Sequence, residues 1–259
     1  MIEWSVCISE IARRAGEEIM AVYRQDFSVV EKLDASPLTQ ADLAAHHCIV
    51  AMLAELDAAI PILSEESADI DWRTRQQWTR YWLVDPLDGT REFVKKNDEF
   101  TVNIALIEHG EPVLGVVYAP ALDWLWLGGR GLGAHWQHAG EQGIANISDA
   151  ANPLRVAASR SHRDERTQTY LNQIGAVNTL GLGSSLKFCR IATGEIDLYP
   201  RFGPTSEWDT AAAQAVLEAA GGCVFSLDGK PLRYNDKESL LNPYFMAVGD
   251  QRIPWQKWL

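Results

Sequence analysis

Residues 82–90 read Trp-Leu-Val-Asp-Pro-Leu-Asp-Gly-Thr, an apolar segment that ends at an acid, turns at a proline and presents a second acid. The apolar segment predicts a buried strand, and residues 91–96 (Arg-Glu-Phe-Val-Lys-Lys) predict a short helix after the turn. In open α/β sheets, ligands bind just beyond the carboxyl ends of such strands. The stretch therefore predicts an α/β fold with a functional site at this turn.

The two acids of the turn, Asp85 and Asp88, stand three residues apart across a proline, so both carboxylates can converge on one point. Gly89 and Thr90 follow at the predicted helix N-terminus, where free backbone N–H groups attract phosphate. Hard oxygen ligands beside a phosphate cradle indicate a divalent cation, Mg²⁺ in the first place. The alternative is that these are ordinary turn residues, as Asp-Pro and Asp-Gly pairs usually are. The nine-residue context favours the site.

Composition narrows the class of protein. Of the 259 residues, 47% are hydrophobic and 22% are charged, as in an ordinary globular protein with a sizeable core. The net charge of −12 argues against binding to a nucleic-acid polymer, which needs clustered Lys and Arg. The four cysteines show no metal-ligand spacing, so neither structural zinc nor a disulfide framework is expected. Acids interrupt the first twenty residues and no apolar run reaches 18, so we expect no signal peptide, no transmembrane segment and a cytoplasmic location.

Upstream of the turn, the sequence predicts two helices and two strands. Apolar residues at steps of three and four over residues 4–22 predict an amphipathic helix, and residues 27–33 predict a strand. A second helix is expected to begin at Thr39, where Asp42 fits a capping box; this cap is the structural alternative to a catalytic role for Asp42. Residues 61–67 predict a short strand that ends in two adjacent acids.

Downstream of the turn, the pattern changes near residue 146. Residues 100–127 predict a meander of three strands, and the glycine-rich residues 128–133 are interpreted as a hairpin turn. Strands and helices alternate after this point, which predicts an α/β arrangement. We therefore expect an α+β lobe for metal and phosphate over residues 1–145, and an α/β lobe for substrate over residues 146–259.

Candidate metal ligands follow the predicted strands or precede a predicted helix. They are Glu65, Asp85, Asp88 and Asp209, with the backbone carbonyl of Leu87. Such a set suits two or three Mg²⁺ ions that retain several waters, and paired metals on phosphate activate water as a nucleophile. Thr90 can hold that water, and Asp42 can hold Thr90 and accept a proton. For Asp209, a plain helix cap is the structural alternative.

Three motifs together resemble one phosphatase superfamily. Residues 85–90, with Ser-Glu-Glu-Ser at 64–67 and Glu-Trp-Asp-Thr at 207–210, resemble the Mg²⁺-dependent, Li⁺-sensitive superfamily of inositol monophosphatase. The order and spacing of the motifs match over nearly the whole chain. The resemblance implies a layered αβαβα sandwich of the inositol monophosphatase and fructose-1,6-bisphosphatase type, with an α+β N-terminal lobe and an α/β C-terminal lobe.

Further segments look like the bacterial CysQ branch of that superfamily, the 3′(2′),5′-bisphosphate nucleotidases. These segments are residues 91–95, 99–107, 183–189 and 198–205. Enzymes of this branch remove the 3′-phosphate of 3′-phosphoadenosine 5′-phosphate, a by-product of sulfate assimilation, and 3′-phosphoadenylyl sulfate is a further candidate substrate. The substrate partner implied is a small nucleotide bisphosphate.

The resemblance also implies roles for individual residues. Implied are metal ligation by Glu65, Asp85, Leu87, Asp88 and Asp209, catalysis by Asp42, Thr90 and Glu65, phosphate binding by Gly89 and Thr90, and substrate contacts from His162, Ser184, Lys187, Arg201 and Asp209. Lys187 and Arg201 can meet a second phosphate, which a sugar monophosphate lacks.

Two other functions stay open. Glu207 lies where an acid of inositol phosphatases contacts substrate hydroxyls, so an inositol or sugar monophosphatase is the second hypothesis. It predicts that Lys187 and Arg201 are dispensable. A non-catalytic regulator that binds metal or nucleotide is the third, and the presence of both Thr90 and Asp42 argues against it.

The last eight residues, 252–259, carry two of the ten tryptophans. We interpret this segment as a packed tail. The alternative is a weak contact with the cytoplasmic face of the inner membrane. Both a monomer and a homodimer are compatible with the sequence.

Overall fold

The computed structural model describes residues 2–25, 37–159 and 165–259. Helices and two β-sheets alternate in five layers, so that each sheet is covered on both faces. The strand predicted at 27–33 lies outside the described residues.

The first layer consists of α1 (Ile2–Tyr23) and α2 (Pro37–Leu56). The predicted amphipathic first helix is confirmed, because its apolar stripe from Ile8 to Ile19 is fully buried. The predicted start of α2 at Thr39 is wrong. The helix already begins at Pro37, since proline suits the first turn of a helix. Asp42 therefore lies in the second turn, and the capping-box alternative is removed.

The first sheet has seven strands in the order of the sequence, and all neighbours are antiparallel except the first two, which are parallel. The strands are β1 (Ile62–Ser64), β2 (Arg80–Asp88), β3 (Thr101–Glu108), β4 (Glu111–Ala119), β5 (Trp124–Gly129), β6 (Gly133–His138) and β7 (Glu141–Ala145). Successive side chains of a strand point to opposite faces of the sheet. In β2, Trp82 and Val84 therefore pack towards α1 and α2, whereas Tyr81 and Leu83 pack on the opposite face. The predicted meander and the hairpin turn after β5 are confirmed.

The second sheet has five strands in the order β11-β12-β10-β8-β9. They are β8 (Leu154–Ser159), β9 (Val177–Leu182), β10 (Leu198–Arg201), β11 (Cys223–Ser226) and β12 (Phe245–Val248), and the helices are α5 (Glu165–Ile174), α6 (Leu186–Ala192) and α7 (Ala211–Ala219). Strand β8 is parallel to β9 and β10, as the alternating pattern predicts. Strand β12 was missed by sequence reasoning. It is antiparallel to both of its neighbours, which makes the sheet mixed.

Helix α7 lies between the two sheets. Its small alanines allow a close approach to the first sheet: a Cβ added at Gly115 of β4 would lie 2.3 Å from the carbonyl oxygen of Ala212. The core between the sheets draws side chains from both of them and from α6 and α7. The α/β fold class and the layered arrangement are thus confirmed. The division at residue 145 stays a prediction, with the first sheet ending at Ala145 and the second beginning at Leu154.

The C-terminal tail packs on the outer side of the second sheet, as we expected. The Trp255 ring stacks on Phe225, and the Tyr170 hydroxyl donates a hydrogen bond of 2.9 Å to the Trp255 carbonyl. Within the described part of the chain, every helix is too short or too polar to cross a membrane.

Candidate active site

The central turn is built by the end of β2 and the start of α4 (Thr90–Val94). Pairing between β2 and β3 shifts register between Asp85 and Asp88, which bends the strand at the two acids. The Leu87 N–H donates to the Asp85 carboxylate at 3.0 Å, so the turn is closed locally. Gly89 has φ +93°, and a Cβ there would lie 3.0 Å from the Glu99 carbonyl oxygen. Only glycine fits this position without strain.

Strand register brings the second acidic motif to the same place. Strands β1 and β2 are parallel and pair Ser64 with Val84, so the next residues, Glu65 and Asp85, emerge side by side at the carboxyl ends. The two carboxyl groups are electrostatic neighbours. Asp42 of α2 is an electrostatic neighbour of Glu65 and Glu66, and its Oδ1 atom is buried without a hydrogen-bond partner among the described residues.

The fifth acid, Asp209, comes from the opposite half of the molecule. It ends a 3₁₀ turn, Glu207–Asp209, and its Oδ2 accepts the Ser206 N–H at 2.9 Å. The interpretation of Asp209 as a plain cap of the alanine-rich helix α7 is wrong, because the N-cap of α7 is Thr210. Asp209 is instead the third residue of a capping box whose N-cap is Ser206. Asp209 is also an electrostatic neighbour of Asp85, as are Asp88, Glu65 and Asp42. Asp209 thus closes the 3₁₀ turn and also lies among the acids of the first sheet.

Burial is the main cause of strongly shifted pKa values in this cluster, and repulsion between the acids adds to it. The pKa is raised to about 8 for Asp42 and for Asp209, and to about 6 for Asp88. Burial also raises the pKa of Asp85 well above its usual range, and that of Glu65 in the same direction. Acids with raised pKa values keep their protons to higher pH than usual, and a bound cation would displace those protons.

The acids fit a divalent cation in their donor chemistry, since Mg²⁺ prefers carboxylate oxygens, and the unpartnered Asp42 Oδ1 is a free acceptor. Across residues 2–25, 37–159 and 165–259, however, no three His, Cys, Asp or Glu side chains are already arranged around one ion position. A bound ion would offset the repulsion among these carboxyl groups.

A cavity beside the acids is lined by residues from both sheets. It brings together seven of the predicted site residues, namely Asp88, Gly89, Thr90, Ser184, Lys187, Arg201 and Asp209. His162 lies outside the described residues. The sequence did not identify Tyr199 and Thr205 of the same lining, because nothing in their local pattern distinguishes them.

Two cationic side chains, Lys187 and Arg201, also line the cavity, and both are electrostatic neighbours of Asp88. The Lys187 ammonium is buried and donates to the Ser184 carbonyl at 2.5 Å and the Leu182 carbonyl at 3.2 Å. Burial lowers the pKa of Lys187 to about 8, while the nearby Asp88 acts against this shift. Arg201 donates from Nη2 to the Pro204 carbonyl at 2.8 Å, and its buried Nε has no partner within the described residues.

The loop that carries Ser184 is held by the first sheet. Ser184 has φ +40°, a strained value for a residue with a side chain. The Gly183 N–H donates to the Glu99 carboxylate at 2.8 Å, and the Ser185 hydroxyl lies 2.9 Å from that of Thr101 and donates to Asn103 at 2.8 Å. Polar residues at alternate positions of an otherwise apolar strand, β3, were the sequence signal for this contact. Sequence reasoning did not use it.

Glu207 does not face the cavity. Its side chain is fully buried and accepts the Asn235 N–H at 2.9 Å and the Lys237 ammonium at 3.1 Å. The arrangement gives no support to a role for Glu207 in contacting substrate hydroxyls.

Fold and site together define a class of protein. Residues 2–252 match the model of the inositol monophosphatase family, and the chain belongs to this family. Among its relatives, the 3′(2′),5′-bisphosphate nucleotidase CysQ of Shigella flexneri is 52% identical over 240 residues, which are 92% of this chain and 96% of the relative. CysQ of Escherichia coli K12 is 51% identical with the same coverage.

Solved structures agree with this assignment. CysQ from Bacteroides thetaiotaomicron, described as a bacterial member of the inositol monophosphatase family, superposes with a TM-score of 0.88 at 40% identity, covering 96% of this chain and 98% of its own. An inositol monophosphatase from Zymomonas mobilis reaches a TM-score of 0.80 at 25% identity, covering 99% of this chain and 97% of its own.

Proposed function

We propose that this chain is a metal-dependent 3′(2′),5′-bisphosphate nucleotidase. It hydrolyses the 3′-phosphate of 3′-phosphoadenosine 5′-phosphate to AMP and phosphate in sulfur metabolism, and 3′-phosphoadenylyl sulfate is a second candidate substrate. The observation that carries the proposal is the cavity itself, whose lining brings the acids Asp88 and Asp209 together with Lys187 and Arg201. The identity with CysQ relatives over 92% of the chain supports the same activity.

The cations explain why a bisphosphate suits this cavity. One phosphate group would lie beside the acids and Gly89, where a metal ion offsets its charge. The other would meet Lys187 and Arg201, whose charge-assisted hydrogen bonds favour phosphate oxygens. The partnerless Arg201 Nε is available for such a bond.

Enzymes of this family are metal-dependent. Glu65, Asp85, Asp88 and Asp209, with the Leu87 carbonyl, would hold two or three Mg²⁺ ions. When bound, Mg²⁺ polarises the phosphate and makes water a better nucleophile.

The remaining steps belong to residues of the chain. The N–H groups of Gly89 and Thr90 bind the reacting phosphate, and the Thr90 hydroxyl orients the water. Asp42 accepts the proton of that water as its oxygen bonds to phosphorus. The bond between phosphorus and the 3′-oxygen breaks, and the 3′-oxygen takes a proton from solvent. Glu65 would help to hold the ion and would also help to orient the attacking water.

The test compares phosphate release from 3′-phosphoadenosine 5′-phosphate and from inositol 1-phosphate, with and without Mg²⁺ and Li⁺. We expect Mg²⁺-dependent release, a strong preference for the nucleotide and inhibition by Li⁺. A preference for the inositol phosphate would assign the chain to the sugar-phosphate branch. Release from neither substrate would favour a non-catalytic binding protein.

A further inference from the structure

A single loop, residues 235–242, binds both halves of the molecule close to the site; we name it the bridging loop. On the side of the first sheet it contacts Arg75, the last residue of α3 (Trp72–Arg75), which lies between the Glu65 turn and β2. Arg75 is only 3% exposed and donates from Nη1 to Asn235 Oδ1 at 2.8 Å and to the Lys237 carbonyl at 3.3 Å. Its Nη2 bonds to the Glu238 carbonyl, and Asn235 Nδ2 donates back to the Arg75 carbonyl at 2.6 Å.

On the other side, the bridging loop holds the segment that carries Asp209. The buried Glu207 carboxylate is bound by the Asn235 N–H and the Lys237 ammonium, and the Glu207 N–H donates to the Leu240 carbonyl at 2.8 Å. Asn242 completes the attachment. Its Nδ2 donates to the Ser206 carbonyl at 2.7 Å and to the Thr210 hydroxyl at 3.0 Å, so it spans the 3₁₀ turn from both ends.

We infer that Arg75, Glu207, Lys237 and Asn242 are positioning residues that set Asp209 against the acids of the first sheet. The inference rests on the proposed function, because it takes Asp209 as a metal ligand. The other ligands lie at the carboxyl ends of β1 and β2, whereas Asp209 follows the second sheet's strand β10 in the chain. Mg²⁺ demands ligand distances near 2.1 Å, so a small displacement of Asp209 weakens coordination without touching a ligand.

Elsewhere in the molecule, a second arginine provides a matched control. Arg155 also anchors loops, through Asp197 at 2.6 Å, the Gly194 carbonyl at 2.7 Å and the Ser148 hydroxyl at 2.7 Å. These partners belong to the connection between the sheets and to the segment before β10. Loss of the Arg155 contacts also costs stability, although its side chain is 30% exposed, and it leaves the segment of Asp209 attached.

The experiment compares Arg75→Lys with Arg155→Lys. Lysine keeps the charge in both variants but cannot reach several acceptors as the planar guanidinium does. Mg²⁺ binding is measured by calorimetry without substrate, and thermal unfolding reports stability. We expect Arg75→Lys to weaken Mg²⁺ binding by about tenfold, because loss of a group that orients a metal ligand has an effect of this size. We expect Arg155→Lys to leave the Mg²⁺ affinity within about twofold of the wild-type value.

Lys237→Met is the second variant, because this side chain is more than one-third exposed and its replacement opens no buried cavity. It should weaken Mg²⁺ binding in the same direction by a smaller factor, and it decides the question alone if Arg75→Lys does not fold. Wild-type Mg²⁺ affinity in the folded variants would overturn the inference while leaving the proposed function intact. Absence of Mg²⁺ binding by the wild-type protein would instead refute the metal assignment, and the inference with it.

Discussion

The acidic cluster and the cationic residues of the site differ in how the chain builds them. The acids come mainly from adjacent parallel strand ends, which place Glu65 beside Asp85 by register. The cations come from separate elements, with Lys187 on α6 and Arg201 at the end of β10. The acids therefore depend on strand register, and the cations depend on the packing of separate elements. Burial shifts the pKa of the acids upwards and that of Lys187 downwards, so it disfavours the charged form of both groups. Under the proposed function, a metal ion would offset the charge of the acids and a phosphate group would offset that of the cations.

The comparison is broken most severely by removing Asp88, the acid that interacts with both the acidic cluster and the cations. Asp88→Asn should reduce phosphate release by more than about 100-fold, because it removes a proposed metal ligand. Loss of a group that only orients such a ligand already lowers metal affinity or activity by about 10- to 100-fold. The variant should stay folded, since the amide replaces an acid whose pKa burial raises to about 6. Phosphate release and thermal unfolding are measured against Asp69→Asn, an exposed acid. Near-wild-type turnover would disprove the metal role.

On the cationic side, Lys187→Ala should weaken the bisphosphate selectively. Loss of a charged hydrogen bond is worth about 1.5–3 kcal/mol, which lowers kcat/KM by about 10- to 150-fold. Inositol 1-phosphate hydrolysis, where detectable, should change much less. The control is Lys230→Ala, whose ammonium pairs with Asp228 away from the cavity. An unchanged ratio between the two substrates would rule out recognition of the second phosphate by Lys187.

Removal of the metal tests whether a Mg²⁺ ion binds to the acidic cluster. Mg²⁺ at 100 times its Kd should stabilise the fold by about 2.7 kcal/mol over the chelated protein, because it binds the native state and offsets repulsion among the acids. Thermal unfolding with Mg²⁺ and with a chelator measures this difference. The Asp88→Asn variant should show a smaller shift than wild type. Identical unfolding curves for the wild-type protein under both conditions would contradict the prediction.

The smallest expected effect comes from Glu218, an acid that does not line the cavity. Burial raises the pKa of Glu218 on α7 to about 7 from its ordinary value of 4.5. Between these pH values the folded state binds more protons than the unfolded state, so Glu218 lowers stability as pH rises from 4.5 to 7. The residue is partly exposed, and solvent screening limits the effect to about 1 kcal/mol.

Glu218→Gln should remove this loss, because the amide keeps the 2.8 Å hydrogen bond from Gln214 and carries no charge. Denaturant unfolding at pH 5 and pH 7 measures the difference between the two proteins. A variant whose stability falls with pH as steeply as that of wild type would show that Glu218 does not titrate in this range. Its phosphatase activity should be unchanged, in contrast to Asp88→Asn.

Much of this arrangement could be predicted from local sequence. The α/β fold class, most elements and the acidic motifs follow from periodicity and from short segments such as residues 82–90. Predictions failed where a distant partner decides the outcome. Strand β12 forms because β10 and β11 flank it, and the turn of Glu207 away from the cavity depends on Lys237 and Asn235. The roles assigned to individual site residues stay predictions.

By itself, the sequence determined the alternation of strands and helices, the acid-tipped turns and the glycine of the central turn, because each depends on neighbours along the chain. Only the tertiary structure decided that Asp209 joins Asp85, that Thr101 and Asn103 hold the Ser185 loop, and that the bridging loop binds Arg75 on one side and Glu207 on the other. These contacts join residues that are far apart in the chain. Their geometry is fixed by the packing of the two sheets around α7, which no local pattern encodes.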